Sequence, residues 1–305
     1  MKYDLLIIDG KGLLWRTTDA FKTLSVEIDG EDIPTGGVFG FLSTSIRIHP
    51  KYGGKLVVAW EGRSNFRQKL FPSYKGRDQP LDDERQEMIL EMVRQEKILI
   101  EVLSDLGISQ YRGKGCEADD VIGRLATEAA DRGLNVAIYS GDSDLRQLVC
   151  ERIKVVASSP KGDVVYDEKA VQKRHGVPPR LLAQLKAMAG DSSDRIPGAR
   201  GIGPVTAAVV LNKYGSLKRA LEAAKVEDPE WPDSKRRREI IAQSAEEIQR
   251  YYRLTKIQTA MPYEKIKSAK NVETNKVMEH LRRLKFRSLA AAAEFLQLMR
   301  LHKKL

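Results

Sequence analysis

Tyr3-Asp4-Leu5-Leu6-Ile7-Ile8-Asp9 opens the chain with a short apolar run that halts on an acid. The pattern recurs. Lys55-Leu56-Val57-Val58-Ala59-Trp60 halts on Glu61, and Asn135-Val136-Ala137-Ile138-Tyr139-Ser140-Gly141 halts on Asp142. These runs, with Lys154 to Ala157, have strand length and no polar alternation, as strands covered on both faces do. Helix-like spacing separates them at Val38 to Ile48, Glu84 to Leu106 and Ala118 to Asp131. Strands alternating with helices predict an α/β fold, a mainly parallel sheet with helices on both faces. Ligands of such sheets sit where the strands end, which is where Asp9, Glu61 and Asp142 fall. One strand-end acid is as readily a turn or helix cap. Three of them, accompanied by two further acid clusters, make independent capping the weaker reading.

Beyond Asp167 the strand signal fades and a helical pattern continues, broken by Pro178-Pro179, Pro197, Pro204 and Pro232. A boundary is expected near residue 170, between an α/β domain (1–170) and a helical region (171–305). The 305 residues suit one large or two closely packed domains. Lys and Arg number 52 against 42 acids, a net charge of +10, which favours a polyanionic partner over a merely soluble basic enzyme. Cys116 and Cys150 have no disulfide or metal-ligand spacing. The start Met1-Lys2-Tyr3-Asp4 lacks a signal-peptide pattern, and no apolar stretch reaches membrane-spanning length, so a cytoplasmic protein is expected.

Against this basic background nine acids stand in groups: Asp9, Glu61, Glu117-Ala118-Asp119-Asp120, Asp142-Ser143-Asp144 and Asp191-Ser192-Ser193-Asp194. Hard divalent cations such as Mg²⁺ take oxygen ligands, and the four histidines lie outside these groups, which disfavours zinc. Glu117 and Asp120 share a face at a helix start; the alternative is that they complement the helix dipole. Nine acids exceed the needs of one ion. Two ions about 4 Å apart, as phosphodiester hydrolases use, would engage them.

Two segments suit nucleic acid. Gly201-Ile202-Gly203-Pro204 enters a helix with backbone amides able to approach a phosphate, or is a packing turn between helices. Arg63, Arg67, Lys69, Lys75 and Arg77, interleaved with Phe66, Phe71 and Tyr74, combine cations with stacking rings, or form a solvated loop with buried aromatics. Arg16, seven residues after Asp9, could reach the acid-lined edge. Lys235-Arg236-Arg237-Arg238 reads as a solvated helix start.

Taken together, Ile8-Asp9-Gly10 with Arg16, Phe71-Pro72-Ser73-Tyr74-Lys75-Gly76, Gly115-Cys116-Glu117-Ala118-Asp119-Asp120, Ser140-Gly141-Asp142-Ser143-Asp144 and Gly190-Asp191-Ser192-Ser193-Asp194-Arg195-Ile196-Pro197-Gly198 resemble the motifs of the 5′-nucleases. That family comprises flap endonucleases and the 5′→3′ exonuclease domain of bacterial DNA polymerase I, with standalone phage and bacterial forms. The resemblance implies a PIN-like catalytic domain with a helical arch (about 72–106) and a helix-three-turn-helix element (about 180–215) that grips DNA. It assigns Asp9, Glu117, Asp119 and Asp120 to one metal and Asp142, Asp144, Asp191 and Asp194 to a second. Lys75 and Arg16 would contact the scissile phosphate and Tyr74 would stack on the terminal base. Arg67, Arg77, Gly201, Gly203 and Thr206 would bind DNA. Glu61 stands where the family usually has Asp, Val205 where a Lys is common, and Gly12 where a small polar residue is usual.

The resemblance further implies a Mg²⁺-dependent 5′→3′ exonuclease and flap endonuclease, with Mn²⁺ as a substitute and K⁺ at the helical hairpin. Its substrates would be DNA with a 5′ end or flap, including RNA–DNA primer junctions, in replication or repair. A monomer working beside a separate DNA polymerase is expected. The rivals are a PIN-type ribonuclease and a catalytically degraded DNA-binding protein.

Overall fold

The computed structural model describes residues 2–62, 66–76 and 82–291. Along the chain the strands are β1 (Leu5–Asp9), β2 (Ser25–Ile28), β3 (Glu31–Pro34), β4 (Lys55–Trp60), β5 (Ser109–Gly113), β6 (Val136–Tyr139), β7 (Ile153–Ala157), β8 (Val164–Tyr166) and β9 (Tyr263–Ile266). The chain forms two compact units. The first comprises Met1–Arg63, Leu81–Gly141 and Met261–Leu305; the second comprises Ser64–Pro80 and Asp142–Ala260. The chain leaves the first unit twice and returns.

In the first unit the strand order is β6-β1-β4-β5-β9. β1 lies parallel to β4 and β6, β4 is parallel to β5, and β9 closes the edge antiparallel to β5. Leu6, Ile7 and Ile8 are all fully buried, so both faces of β1 are covered, as its unbroken apolar run requires. Opposite Asp9 stands Ala59, and opposite Ile8 stands Tyr139. Asp9, Glu61 and Ser140 therefore emerge at one end of the sheet, the end expected from the sequence.

Helices Gly10–Ala20, Gly36–Tyr52, Asp83–Asp105 and Ala118–Asp131 belong to this unit. Thr35 supplies no side-chain cap to the second of these. Instead, the buried Gln95 of Asp83–Asp105 accepts from Gly37 N at 2.6 Å and Val38 N at 3.3 Å, satisfying that helix start. The expected arch thus has an anchored half: Met92, Gln95, Leu99, Val102 and Leu103 are buried, while Asp82 to Glu87 are exposed. Among the described residues no helix is long and apolar enough to cross a membrane.

Strands β2, β3, β5 and β9 carry no apolar run. β5 is polar yet interior: buried Gln110 accepts from Trp60 Nε1 at 2.9 Å and donates to Ile100 O and Ser104 Oγ, both at 3.0 Å. β9 is an edge strand, so it carries Glu264 and Lys265 where an interior strand would carry apolar residues. The β2–β3 hairpin turns on Asp29-Gly30, both at positive φ, the pairing that a two-residue turn between strands favours.

The second unit holds the β7–β8 hairpin and helices Phe66–Leu70, Glu168–His175, Pro179–Ala189, Pro204–Tyr214, Leu217–Lys225, Lys235–Gln243 and Ala245–Thr255. Leu181, Leu185, Met188, Leu211, Ile248 and Leu254 contribute to one apolar core, which also takes in Ile202 and Tyr74.

Candidate functional site

Each unit carries its own set of acids. In the first, Asp9 ends β1 and caps helix Gly10–Ala20, accepting from Gly12 N at 2.9 Å. Its other oxygen accepts from Ser140 Oγ, beyond β6, at 2.7 Å. The carboxylate is thus held between two neighbouring strand ends, and Asp9 is 6% exposed. Gly12 is what makes room for it. A Cβ at that position would lie 2.2 Å from Asp9 Oδ2, so the glycine lets the helix start pack against the carboxylate.

Glu117 and Asp120, both buried, open helix Ala118–Asp131, and Glu117 N donates to Asp120 Oδ2 at 3.2 Å. Asp119 is half-buried beside them. Helix capping therefore does account for part of this cluster, alongside any ligand role. Glu61 forms an ion pair with Lys11 on the first helix. Arg16, half-buried, has its guanidinium 5.7 Å from the Tyr139 ring centre, at the end of β6.

In the second unit, Asp144, Asp191 and Asp194 each present a carboxylate oxygen, and these oxygens lie within 4.8 Å of one another. Asp142 is outside this trio; it is exposed and accepts from Asp144 N at 2.7 Å. The loop holding Asp191 and Asp194 is closed by paired backbone hydrogen bonds between Asp191 and Ile196, both 2.8 Å. Asp191 Oδ1 accepts from Ser193 N at 3.0 Å and Ser193 Oγ at 2.5 Å. Lys186, on helix Pro179–Ala189, donates to Asp191 Oδ2 at 2.7 Å and also pairs with Asp144. Burial alone would raise the Asp191 pKa, but hydrogen bonds from Lys186 and Ser193, with the Lys186 charge, hold it below the ordinary carboxylate range.

Several sequence expectations meet a different geometry. Tyr74 is 2% exposed within the helical core, and its hydroxyl donates to Asp194 Oδ2 at 3.1 Å. A ring enclosed in this way supports an acid and offers no face to a base. Arg67 is likewise buried, donating from Nε to Leu254 O at 2.9 Å and from Nη2 to Lys256 O at 3.2 Å. Its charge serves backbone carbonyls, so it is not the DNA contact expected. Thr206 is also buried. Arg63 and Arg77 lie outside the described residues. Lys75 is exposed, with its backbone at φ 54°, and its N–H donates to Asp194 O at 3.1 Å. Arg195, at φ 56°, packs against Gly76 beside it. Two cations flanking Asp194 in left-handed backbone are unusual for residues with a Cβ.

Gly201 and Gly203 are exposed, with open space where a Cβ would stand, while Ile202 between them is buried in the helical core. The hairpin is anchored by one side chain and presents its backbone outward. Next to it an open groove of about 930 Å³ is lined by Arg200, Gly201, Ser234, Arg236 and Arg237. Arg238, by contrast, is buried and donates to Ala224 O at 3.0 Å. The basic run thus divides between groove and scaffold. Lys186, Arg195 and this groove were missed by sequence reasoning. The only signal for Lys186 was its position one helical turn and a residue before Asp191.

An α/β unit with acids at its strand ends and a helical unit with an exposed glycine hairpin define the class. The chain belongs to the 5′-3′ exonuclease family: the model of its N-terminal resolvase-like domain matches residues 4–176, and that of its C-terminal SAM fold matches residues 177–282. A 5′-3′ exonuclease of Aquifex aeolicus is 31% identical over 293 residues, covering 93% of each chain. DNA polymerase I of Chloroflexus aurantiacus is 36% identical over 232 residues, 73% of this chain but 24% of the polymerase, so the chain spans about a quarter of that relative. A T5 5′-exonuclease with bound zinc shares the fold, with a TM-score of 0.66 at 17% identity, covering 99% of this chain and 98% of that one.

Proposed function

We propose that the chain is a Mg²⁺-dependent 5′→3′ exonuclease and structure-specific flap endonuclease acting on DNA in replication or repair, including primer and flap removal. The observation that carries this reading is the Asp144, Asp191 and Asp194 trio, with three carboxylate oxygens inside 4.8 Å, in the unit that also presents the glycine hairpin. Lys186 offsets part of this charge, and an all-oxygen donor set fits Mg²⁺ or Mn²⁺ rather than a thiophilic metal.

Asp144, Asp191 and Asp194, with Asp142, would hold one ion, and Asp9, Glu117, Asp119 and Asp120 another. Bound divalent ions would supply charge for the attacking and leaving oxygens of phosphodiester hydrolysis. The remaining work belongs to the chain. Ser140 and Gly12 orient the Asp9 carboxylate, and Tyr74 does the same for Asp194. Arg16 and the exposed Lys75 would each offer a cation to a phosphate, and the exposed Gly201 and Gly203 would offer backbone to the duplex. A K⁺ at the hairpin would complete that grip.

The test incubates the protein with 5′-flap DNA, matched RNA and plain duplex, in Mg²⁺ or EDTA. Mg²⁺-dependent cleavage of the flap is expected. No metal-dependent cleavage of any DNA would sink the proposal, and preference for RNA would transfer it to a ribonuclease.

A further inference from the structure

We propose that Lys186 is a tethered rival of the metal: its ammonium neutralises the Asp144 and Asp191 carboxylates until a divalent ion displaces it. The proposal rests on the reading that Asp144, Asp191 and Asp194 hold an ion. Lys186 Nζ lies 2.7 Å from Asp191 Oδ2, pairs with Asp144 Oδ1, and approaches Ser143 Oγ at 3.4 Å. The side chains are little exposed: 13% for Lys186, 16% for Asp144 and 8% for Asp191. An ammonium this enclosed is no solvated surface lysine. It occupies the place between two carboxylates that also belong to the trio within 4.8 Å.

The two cations compete for the same oxygens. A Mg²⁺ ion draws carboxylate oxygens to about 2.0–2.1 Å and tolerates little distortion of its octahedron. Lys186 already takes one lone pair of Asp191 Oδ2 and one of Asp144 Oδ1, so an arriving ion must outcompete the ammonium for the negative charge of these two carboxylates. A dication brings more charge to Asp144 and Asp191 than the Lys186 ammonium does, but its entry must first break a partly buried ion pair. Lys186 has somewhere to go. It lines an open groove of about 740 Å³, together with Arg174, His175, Asp191 and Val205, and its four-carbon stem can swing into that space. The consequence is a threshold: the ammonium stabilises the loop without metal and weakens apparent metal affinity, so the carboxylates stay apart from weakly held ions.

The experiment measures Mg²⁺ and Mn²⁺ binding to the intact chain by titration calorimetry, without DNA, for the wild type and for Lys186→Met. Methionine keeps the stem length and removes the charge. The apparent Kd is expected to tighten by about fivefold to thirtyfold in the variant, the range for a partly buried ion pair. An unchanged or weaker Kd overturns the proposal, since a lysine that merely braces the loop, or assists the ion, gives that result. Should Lys186→Met fail to fold, the wild type decides by itself. The ¹⁵N-detected lysine ammonium resonance of Lys186, assigned with Lys186→Arg, is expected to shift and lose protection on Mg²⁺ addition, saturating with the calorimetric isotherm. A resonance that does not move overturns the proposal. Failure of the broader reading looks different: there the wild type neither binds Mg²⁺ nor cleaves flap DNA.

Discussion

Replacing Tyr74 by Phe separates a buried support from a base-stacking ring. Tyr74 is 2% exposed and donates to Asp194 Oδ2 at 3.1 Å, and Asp194 is itself 8% exposed. A hydrogen bond to a charged group contributes about 1.5–3 kcal/mol. The 3.1 Å separation is long for a hydroxyl on a carboxylate, which places this one near the lower bound, about 1.5 kcal/mol. Phe preserves the ring, so no cavity adds to the loss. At roughly 2–4 °C per kcal/mol for a domain of this size, Tm should fall by about 3–6 °C in EDTA. A divalent ion beside Asp194 would take over part of the lost compensation, so the deficit should narrow in Mg²⁺. Thermal and urea unfolding with and without Mg²⁺ measure both effects. The stacking role expected from sequence forecasts the opposite, because Phe retains a π face and should change nothing. A Tyr74→Phe protein that unfolds in EDTA at the wild-type temperature would refute the reasoning.

Three further variants probe other parts. Burial, then the charges of Arg146 and Arg174, pushes the His175 pKa down to about 4. The unfolded histidine binds its proton near its ordinary 6.5, so stability from this source is complete above that value and drains as pH falls toward about 4. His175→Gln should flatten urea-derived stability between those values, and an unaltered slope would exclude the effect; Asp191, with a lowered pKa, acts only below its ordinary 3.8. Gly12→Ala gains roughly 1 kcal/mol of helix propensity, yet its Cβ meets Asp9 Oδ2 at 2.2 Å. Net destabilisation and weaker Mg²⁺ binding are expected, and a stabilised variant with normal metal affinity would contradict the packing account. Arg236→Ala with Arg237→Ala should lower the salt dependence of duplex binding by up to about 0.9 per lost phosphate contact, without loss of fold. Fluorescence anisotropy across a salt series reads this directly, and an unchanged slope removes the groove from the interface.

The catalytic sheet was legible because its central strands are buried on both faces, leaving apolar runs that periodicity can detect. Lys55–Trp60 and Ala118–Asp131 were read to the residue, since Glu61 and Glu117 mark sharp changes in chemistry. β5 was not legible. Its burial depends on Gln110 finding Trp60, Ile100 and Ser104, partners that only the folded chain brings together. The β2–β3 hairpin could have been found, because Asp29-Gly30 lies between strand-like segments. Tyr74 and Arg67 show a different limit. Cations among aromatics look alike whether they face nucleic acid or a helical core, and only burial distinguishes them.

The same distinction applies to the acids. Spacing alone made nine carboxylates equivalent, whereas their surroundings make them unequal. Asp9, Glu117 and Asp120 sit at helix starts, where backbone amides favour a negative charge. Asp144 and Asp191 are held instead by the Lys186 ammonium. Each set therefore has a metal-independent means of tolerating its charge, one dipolar and one ionic. A fixed dipole stays in place and continues to support its acids when an ion arrives. An ammonium competes with the ion for the same oxygens. Metal binding in the second unit should accordingly respond to removal of the Lys186 charge, whereas in the first it should depend on glycine and serine geometry around Asp9.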